Sequence, residues 1–299
     1  MADYKKILIT GDTGFVGRYL KDYLETRFPD ISISGFARSR GQDIKNYDQV
    51  YAAIEKKDLI INLAGTSDIN KSWNNPKEAI DTNSFGAVNV FKAAAKNGIP
   101  VVHLSSAEVY GNNLHPGHPM SEEHPLHPRH PYGISKKAAE LVAQDLISQG
   151  KKIIVLRPFT LYGDGSSEPL EKFIPKLVRN ALSDKDLPVE NNGELKRDWV
   201  FIEDLAEAIW KAQNARPGFY NICTGLSHSQ NQVATTILHE VKKINPSNKS
   251  RIVNLPLKRE LNLIQEHRGD PSRFFEETGW RAPTTIEKGI KKCIQFYLT

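Results

Sequence analysis

The chain has 299 residues, a length that corresponds to about two domains and allows a sizeable buried core. Its 40 basic and 35 acidic residues give a net charge of +5. Residues 1–150 carry 17 of each sign, whereas residues 151–299 carry 23 basic and 18 acidic residues. The whole excess therefore lies in the second half, which suggests an anionic partner there.

Composition excludes several classes of protein. The longest apolar runs, such as residues 153–156, are far shorter than the ~18 residues of a membrane span, and residues 1–6 do not resemble a secretion signal. Cys223 and Cys293 form no CxxC motif, which argues against a disulfide framework or a cysteine-based zinc site. No basic run is interleaved with aromatic residues, as a nucleic-acid surface would require. We therefore expect a cytoplasmic protein that binds neither membrane nor nucleic acid.

Short β-branched runs alternate with longer helical patterns over the first two thirds of the chain, which predicts βαβ units around a buried parallel sheet. The predicted strands are Lys6–Thr10, Ile31–Phe36, Asp58–Leu63, Pro100–Ser105 and Lys152–Leu156. The predicted helices are Phe15–Arg27, Tyr47–Lys56, Pro76–Lys96 and Gly133–Ser148. This order predicts an α/β fold with a Rossmann-type doubly wound sheet.

The regular alternation loosens after Arg157, which suggests a second domain. We assign residues 1–165 to a dinucleotide-binding Rossmann domain, to which residues 203–225 return. Residues 166–202 and 226–299 then form a smaller C-terminal α/β domain for the substrate.

A glycine-rich loop follows the first strand and precedes the first helix. Its glycines, Gly11, Gly14 and Gly17, are spaced GxxGxxG. Glycines permit a tight turn and a close backbone approach, and the helix N-terminus offers free N–H groups to a pyrophosphate. We therefore assign cofactor binding to the whole loop, Gly11, Asp12, Thr13, Gly14, Phe15, Val16 and Gly17.

This spacing resembles the short-chain dehydrogenase/reductase superfamily. Three further segments are similar to motifs of that superfamily: Asp58–Gly65 at a strand end beside the cofactor, Ser105–Gly111 with the active-site serine, and Pro131–Lys136 with a YxxxK helix. The size of the chain and its second domain place the resemblance in the extended branch, which comprises nucleotide-sugar epimerases, dehydratases and reductases. The resemblance covers nearly the whole chain.

The YxxxK pair is the expected catalytic centre. Tyr132 and Lys136 are four residues apart and so share one face of a helix. A nearby ammonium and an oxidised nicotinamide both favour the phenolate, so we expect a lowered pKa for Tyr132 and a role as general acid/base. The resemblance implies that Lys136 also binds the nicotinamide ribose and that Ser106 hydrogen-bonds the reacting carbonyl.

Glu108 bears on which reaction occurs. In the resembled dehydratases and decarboxylases a glutamate at this place is a base that acts on the sugar, and in one class of dehydratases an aspartate precedes it. Ala107 takes the place of that aspartate here. Two interpretations of Glu108 stay open: a catalytic base, or a carboxylate that only hydrogen-bonds substrate hydroxyls.

The end of the second predicted strand selects between NAD and NADP. An acidic residue there holds the 2′-hydroxyl of NAD, whereas arginine accommodates the 2′-phosphate of NADP. The segment Arg38-Ser39-Arg40 contains no acid, which favours NADP(H), with NAD(H) as the other option and solvated surface charge as the alternative interpretation. The resemblance implies further cofactor contacts from Asp43, Ile44, Leu63, Ala64, Gly65, Pro158 and Phe159.

The substrate side also resembles the extended branch. Arg197 lies in an RDxxxxxD-like segment, and its guanidinium is expected on a substrate diphosphate. Arg268 and Asp270 lie in a later loop that the resemblance assigns to the diphosphate and a ribose. Thr160 replaces the usual asparagine of an RPFNxYG strand. The predicted substrate-binding residues are Thr66, Ser106, Glu108, Thr160, Arg197, Arg268 and Asp270.

The narrower resemblance is to reductases of GDP-linked 4-keto-6-deoxy-hexoses. It implies NADPH-dependent reduction of a 4-keto group, with Tyr132 donating the proton. A 4-epimerase or dehydratase with tightly bound NAD is the alternative, and a non-catalytic redox-sensing or RNA-binding Rossmann protein is a more distant one. The resemblance also implies a homodimer built on a four-helix interface from residues 76–96 and 133–148.

Five histidines and five prolines crowd residues 114–131. Metal ligands prefer fixed spacing on a rigid element, with acidic or cysteine residues nearby. We therefore predict no metal site, and expect instead a loop that borders the active site.

Overall fold

We describe the protein from a computed structural model, which covers residues 4–163, 172–256 and 264–299. Its strands are β1 (Lys6–Thr10), β2 (Ser32–Phe36), β3 (Leu59–Asn62), β4 (Val101–Leu104), β5 (Ile153–Pro158), β6 (Thr160–Tyr162), β7 (Leu187–Glu190), β8 (Lys196–Phe201), β9 (Gly218–Ile222), β10 (Ser227–Ser229), β11 (Ile252–Leu255) and β12 (Glu266–His267). Its α-helices are α1 (Phe15–Arg27), α2 (Tyr47–Ile54), α3 (Ile69–Asn74), α4 (Pro76–Ile80), α5 (Gly86–Asn97), α6 (Pro131–Ser148), α7 (Phe173–Leu182), α8 (Ile202–Ala212), α9 (Gln230–Ile244), α10 (Ser272–Thr278) and α11 (Ile286–Leu298). Short 3₁₀ turns cover Arg38–Arg40, Ala107–Val109 and Asn191–Gly193.

The central sheet is parallel, with the strand order β2-β1-β3-β4-β5-β9. Strands β3, β4 and β5 are buried along their whole length, because a parallel sheet is covered by helices on both faces. The chain runs from β1 to β2 on one side and returns to β3 on the other, so the sheet is doubly wound with a switch point at β1 and β3. Ligands of such sheets bind at the carboxyl ends of the strands near this point. The predicted fold class is confirmed.

The predicted elements of the first half match the structure closely, with one exception. The five predicted strands are present with ends shifted by two residues or fewer. The predicted helix Pro76–Lys96, however, is interrupted by a π turn at Asp81–Phe85 between α4 and α5. This turn buries Asn83, whose side chain pairs with the backbone of Thr66 and donates to the hydroxyl of Ser135. Hydrophobic periodicity does not reveal such a turn, because a π turn adds only a single residue to one helical repeat.

The remaining strands lie outside the central sheet, except β9. Strand β8 pairs with β6, β10 and β12, and β7 pairs with β11. Strand β9 pairs with β5, and α8 packs against α1. The domain bounds stay a prediction, and the boundary between residues 165 and 166 lies outside the described residues. None of the described helices is both long and apolar enough to cross a membrane.

A buried ion pair joins β5 to α6. The guanidinium of Arg157 donates from Nε and Nη2 to the carboxylate of Glu140, at 3.0 and 2.7 Å for the shortest contacts. Arg157 Nη1 also donates to the hydroxyl of Tyr110 and to the carbonyl of Glu122. Tyr110 in turn donates to Asn221 on β9 at 2.7 Å. This network holds α6 at a fixed position on the sheet.

We predict that Arg157→Met destabilises the protein by about 3–5 kcal/mol, because it leaves the Glu140 carboxylate buried without a partner. The double variant Arg157→Met/Glu140→Met should recover most of that loss, since removing both charges also removes the uncompensated one. Urea-induced unfolding measures both effects. Lys21→Met, which breaks an exposed ion pair with Glu25, is the control and should cost less than about 1 kcal/mol. A single Arg157 variant as stable as this control would contradict the prediction.

Candidate active site

A cavity of about 680 Å³ opens at the carboxyl ends of β1, β3, β4 and β5. It brings together most of the residues predicted to bind cofactor or substrate, although these come from distant parts of the chain. The predicted residues that line it are Gly11, Thr13, Gly14, Phe15, Val16, Gly17, Arg38, Ser39, Asp43, Ile44, Leu63, Ala64, Gly65, Thr66, Ser106, Glu108, Tyr132, Lys136, Pro158, Phe159, Thr160 and Arg197. The predicted residues outside this lining are Asp12, Arg40, Arg268 and Asp270.

The glycine loop forms one end of the cavity. Gly11 has a φ of +72°, and a Cβ there would lie 2.8 Å from Cα of Ala64. A Cβ on Gly17 would lie 2.3 Å from the carbonyl oxygen of Gly11. The loop therefore closes tightly onto β3 and onto the first turn of α1, which presents free backbone N–H groups. This glycine cradle fits the pyrophosphate of a dinucleotide.

The two arginines after β2 have different surroundings. Arg40 donates from both terminal nitrogens to the carboxylate of Asp12, each at 2.7 Å. Asp12 is buried against Gly35, and neither Asp12 nor Arg40 lines the cavity. Arg38 lines the cavity and donates to Glu78 at 2.7 Å, with 63% of its side chain exposed. Of the two, Arg38 is therefore the arginine that lines the cavity.

Tyr132 and Lys136 lie on one face of α6, next to Ser106 at the end of β4. Burial raises the pKa of Tyr132 to about 12, although the hydrogen bond with Ser106 opposes this effect. Burial also lowers the pKa of Lys136 to about 8, and its Nζ donates to the carbonyl of Leu104 at 2.8 Å. Burial of the phenol thus outweighs the neighbouring protein groups, and the lowering expected beside an oxidised nicotinamide stays a prediction.

Glu108 is bound by a histidine that sequence analysis left out of the site. His130 Nδ1 accepts the N–H of Gly133 at 3.1 Å and so caps α6, and its Nε2 therefore carries the proton and donates to Glu108 at 2.9 Å. Its ring stacks on that of Tyr132, with centroids 5.9 Å apart. Burial disfavours the Glu108 carboxylate, but the hydrogen bond from His130 and the electrostatic effects of His267, His130 and Arg197 together outweigh burial and lower the pKa to about 2. Glu108 is therefore ionised and a weak base.

Strand β8 carries Arg197 and Asp198. Arg197 lines the cavity, and its Nη1 donates to the carbonyls of Lys196 and Ile264. The next side chain, Asp198, is buried and accepts hydrogen bonds from Thr224, Gly225 and Gly269. Burial raises the pKa of Asp198 to about 6. Asp198 thus ties β8 to the segments around residues 224 and 269.

Arg268 and Asp270 make local contacts outside the cavity lining. Arg268 Nη2 donates to the carbonyl of Gly117, and Asp270 accepts the N–H of Ser272 at the start of α10. The backbone on either side of Gly269 pairs with Met120 in the histidine-rich segment. The substrate-binding role of Arg268 and Asp270 stays a prediction.

The histidine-rich segment contributes structure beside the cavity. His124 accepts the N–H of Leu114, and His130 caps α6 as described above. Among the described residues, no group of three or more histidine, cysteine or acidic side chains could hold a metal ion.

Two cavity residues that sequence analysis did not identify have buried polar atoms. Ser105 Oγ and His267 Nε2 have no hydrogen-bond partner in the part of the chain that the structure describes.

The sequence signal for His130 is its position before Pro131 at a helix start, where a capping residue is expected. His267 gives no such signal, because it lies in a two-residue strand.

We predict that His130→Ala raises the pKa of Glu108 and removes about 1 kcal/mol of cap stabilisation. Because the folded pKa of Glu108 is below that of free glutamate, its contribution to stability is present above about pH 4.5 and is lost as the pH falls toward 2. A ¹³C NMR titration of the Glu108 carboxyl, assigned with Glu108→Gln, measures the shift. His130→Asn is the matched control, since it keeps a capping oxygen but loses the second ring nitrogen. An unchanged Glu108 pKa in His130→Ala would refute the assignment.

Comparison with known proteins agrees with these features. The family model of the NAD dependent epimerase/dehydratase family matches residues 7–223. The chain is 25% identical over 302 residues to GDP-6-deoxy-D-mannose reductase of Pseudomonas aeruginosa, covering 96% of this chain and 95% of that protein. It is 26% identical over 333 residues to dTDP-glucose 4,6-dehydratase of Haemophilus influenzae, covering 98% and 97%.

Two solved structures share the fold of this chain. RMD of Pseudomonas aeruginosa complexed with NADPH has a TM-score of 0.85 at 23% identity, covering 99% of this chain and 100% of that one. dTDP-glucose 4,6-dehydratase of Bacillus anthracis in complex with NAD has a TM-score of 0.83 at 25% identity, covering 98% and 96%. The chain therefore belongs to the NAD dependent epimerase/dehydratase family, the extended short-chain dehydrogenase/reductases that act on nucleotide sugars.

Proposed function

We propose that this protein is an NADPH-dependent reductase of the 4-keto group of a nucleoside diphosphate 4-keto-6-deoxy-hexose. The observation that carries this proposal is the hydrogen-bonded pair of Ser106 and Tyr132 beside Lys136, in the cavity that the glycine loop closes at its other end. Ketone reduction needs a hydride donor and a proton donor at the same carbonyl. A reduced nicotinamide supplies the hydride when it is bound.

The three side chains then have separate tasks. Tyr132 is protonated at neutral pH, since its pKa is raised to about 12, and it donates its proton to the carbonyl oxygen as the alcohol forms. Ser106 holds that oxygen by a hydrogen bond. Lys136 binds the cofactor ribose, and its ammonium stabilises the phenolate left on Tyr132. A positioned acid of this kind contributes about 10²–10⁴-fold to a rate.

Two observations favour reduction over the alternative, a 4-epimerase or dehydratase with tightly bound NAD. A dehydratase needs a base that takes a proton from the sugar, but the pKa of Glu108 is lowered to about 2 and position 107 is an alanine. Arg38, without an acid at the end of β2, fits a 2′-phosphate. The alternative draws its support from relatives such as the Haemophilus influenzae dehydratase.

We propose a GDP-linked sugar as the favoured substrate. Support for GDP comes from the Pseudomonas aeruginosa relative, whose name specifies a GDP-sugar. The half-buried Arg197 fits the diphosphate that every such sugar carries. Thr66 and Thr160 line the same cavity. Arg268 and Asp270 are proposed for the nucleoside, beyond the cavity lining.

We also propose a homodimer through α6 and the region of residues 76–96. Phe85, Ile134 and Leu141 support this proposal, because they are large apolar side chains exposed on these helices.

We predict that Tyr132→Phe lowers turnover by about 10²–10⁴-fold, because it removes the proton donor. NADPH binding, followed by nicotinamide fluorescence, should remain at the wild-type level, since the ring is kept. Tyr51→Phe, on α2 and outside the cavity lining, is the matched control and should keep full activity. Wild-type turnover in Tyr132→Phe would exclude the assigned role.

The reaction itself is tested by incubating the protein with NADPH and GDP-, UDP-, dTDP- and CDP-linked 4-keto-6-deoxy-hexoses. We expect loss of the reduced nicotinamide absorbance, fastest with the GDP-sugar. No oxidation with any sugar, together with NAD that co-purifies, would favour the epimerase or dehydratase instead.

We predict that Arg38→Ala weakens NADPH binding by about 10–100-fold, because a charge-assisted contact to the 2′-phosphate is lost. NADH binding should change little. Arg40→Ala is the comparison, and it should leave the ratio of the two affinities nearly unchanged because Asp12 holds that guanidinium. Titration of both cofactors measures the ratio, and a wild-type preference for NADH would refute the NADP(H) assignment.

A further inference from the structure

His267 lies beside Arg197 on the substrate side of the cavity. In the parallel pair of β12 with β8, His267 is in register with Arg197. Side chains of residues paired in register project from the same face of a sheet. Both residues line the cavity, and their proximity has an electrostatic effect on the imidazole. The pairing of two short strands thus places a histidine next to the cation assigned to the diphosphate.

The imidazole of His267 has unused hydrogen-bonding capacity. Its side chain is only 1% exposed, and its ring packs on Phe159 with centroids 5.0 Å apart. The ring makes a hydrogen bond to the backbone of Ala107, whereas Nε2 has no partner among the described residues. An unpaired polar atom at this depth costs free energy unless a ligand or water satisfies it.

The protonation state of His267 decides what kind of group it can bind. Burial lowers the pKa of His267 to about 4, so the imidazole is neutral at physiological pH. A neutral imidazole has one N–H group and one lone pair. Because the carbonyl of Ala107 can only accept, it takes the N–H group, and the remaining nitrogen can only accept a hydrogen bond. A hydroxyl group on a ligand is a suitable donor.

The contact with Ala107 also locates His267 relative to the chemistry. Ala107 lies between Ser106, which we assign to the reacting carbonyl, and Glu108, whose ionised carboxylate is a second acceptor in the cavity. Two acceptors beside the reacting carbon fit a sugar that carries free hydroxyls there. In a 4-keto-6-deoxy-hexose the neighbours of C4 are C3, which carries a hydroxyl, and C5, which carries the methyl group.

We propose that His267 is a specificity-determining residue that accepts a hydrogen bond from the C3 hydroxyl of the sugar, next to the reacting carbonyl. This inference rests on the proposed function for the position of the carbonyl. The protein accordingly discriminates against sugars that lack the C3 hydroxyl, since His267 would then stay buried without a partner.

The test compares each sugar with its 3-deoxy counterpart in wild type, His267→Phe and His267→Gln. Phenylalanine keeps the ring packing on Phe159 but has no acceptor, and glutamine restores one. Wild type should prefer the 3-hydroxy sugar in kcat/KM by about 10–100-fold, the effect of leaving a buried acceptor unpaired. His267→Phe should lose this preference by slower reaction of the 3-hydroxy sugar, and His267→Gln should regain part of it.

The matched control is His228→Phe. His228 is the other register neighbour of Arg197, on β10, and lies outside the cavity lining. This variant should keep the wild-type preference. NADPH binding and the urea midpoint report whether each variant is folded. A folded His267→Phe that retains the wild-type preference would overturn the proposal. If that variant does not fold, His267→Leu, which also lacks the acceptor, replaces it. An undiminished 10–100-fold preference in His267→Leu would then overturn the proposal.

The same comparison by calorimetry separates this inference from the proposed function. GDP-, UDP-, dTDP- and CDP-linked hexoses and their 3-deoxy counterparts are titrated into wild type and His267→Phe. Discrimination that depends on His267, without ketone reduction, would overturn the proposed function and support the histidine contact. Ketone reduction without such discrimination would overturn the histidine contact alone, and absence of binding by every sugar would overturn both.

Discussion

The buried ion pair of Arg157 and Glu140 is the constraint on which the site depends. It fixes α6 to β5 one helical turn beyond Lys136, and through Tyr110 and Asn221 it extends to β9. A charge pair inside a protein is favourable only when its geometry and remaining hydrogen bonds are satisfied. Any displacement of α6 would break that geometry, so the helix that carries Tyr132 and Lys136 is held at one position relative to β4 and Ser106.

The parts of the molecule that depend on local backbone geometry could be predicted from the sequence. The glycine loop was identified because a strand, three spaced glycines and a helix follow each other directly, and Gly11 and Gly17 are indeed positions where a Cβ would collide with backbone. The spacing of Tyr132 and Lys136 placed both on one helix face for the same reason. In both cases the site residues are close together in the chain, so the sequence alone identifies them.

Interactions between distant residues could not be predicted in this way. Arg40 looked equivalent to Arg38 until the fold placed Asp12 beside it, and the raised pKa of Tyr132 results from burial by several segments. His267 acquires its position from a strand of two residues that pairs with β8 across about seventy positions of sequence. No local pattern encodes such a pairing, because it depends on which surfaces remain free after the central sheet has formed.

Asp198 has a consequence for how a ligand meets this site. Its single carboxylate joins three segments: β8 with Arg197, the turn after β9 at residues 224–225, and the loop at Gly269 that follows His267. These segments are ordered when the chain folds, so the conformational entropy of arranging them is lost before any ligand arrives. A ligand on this side of the cavity therefore binds to a preorganised site rather than by induced fit.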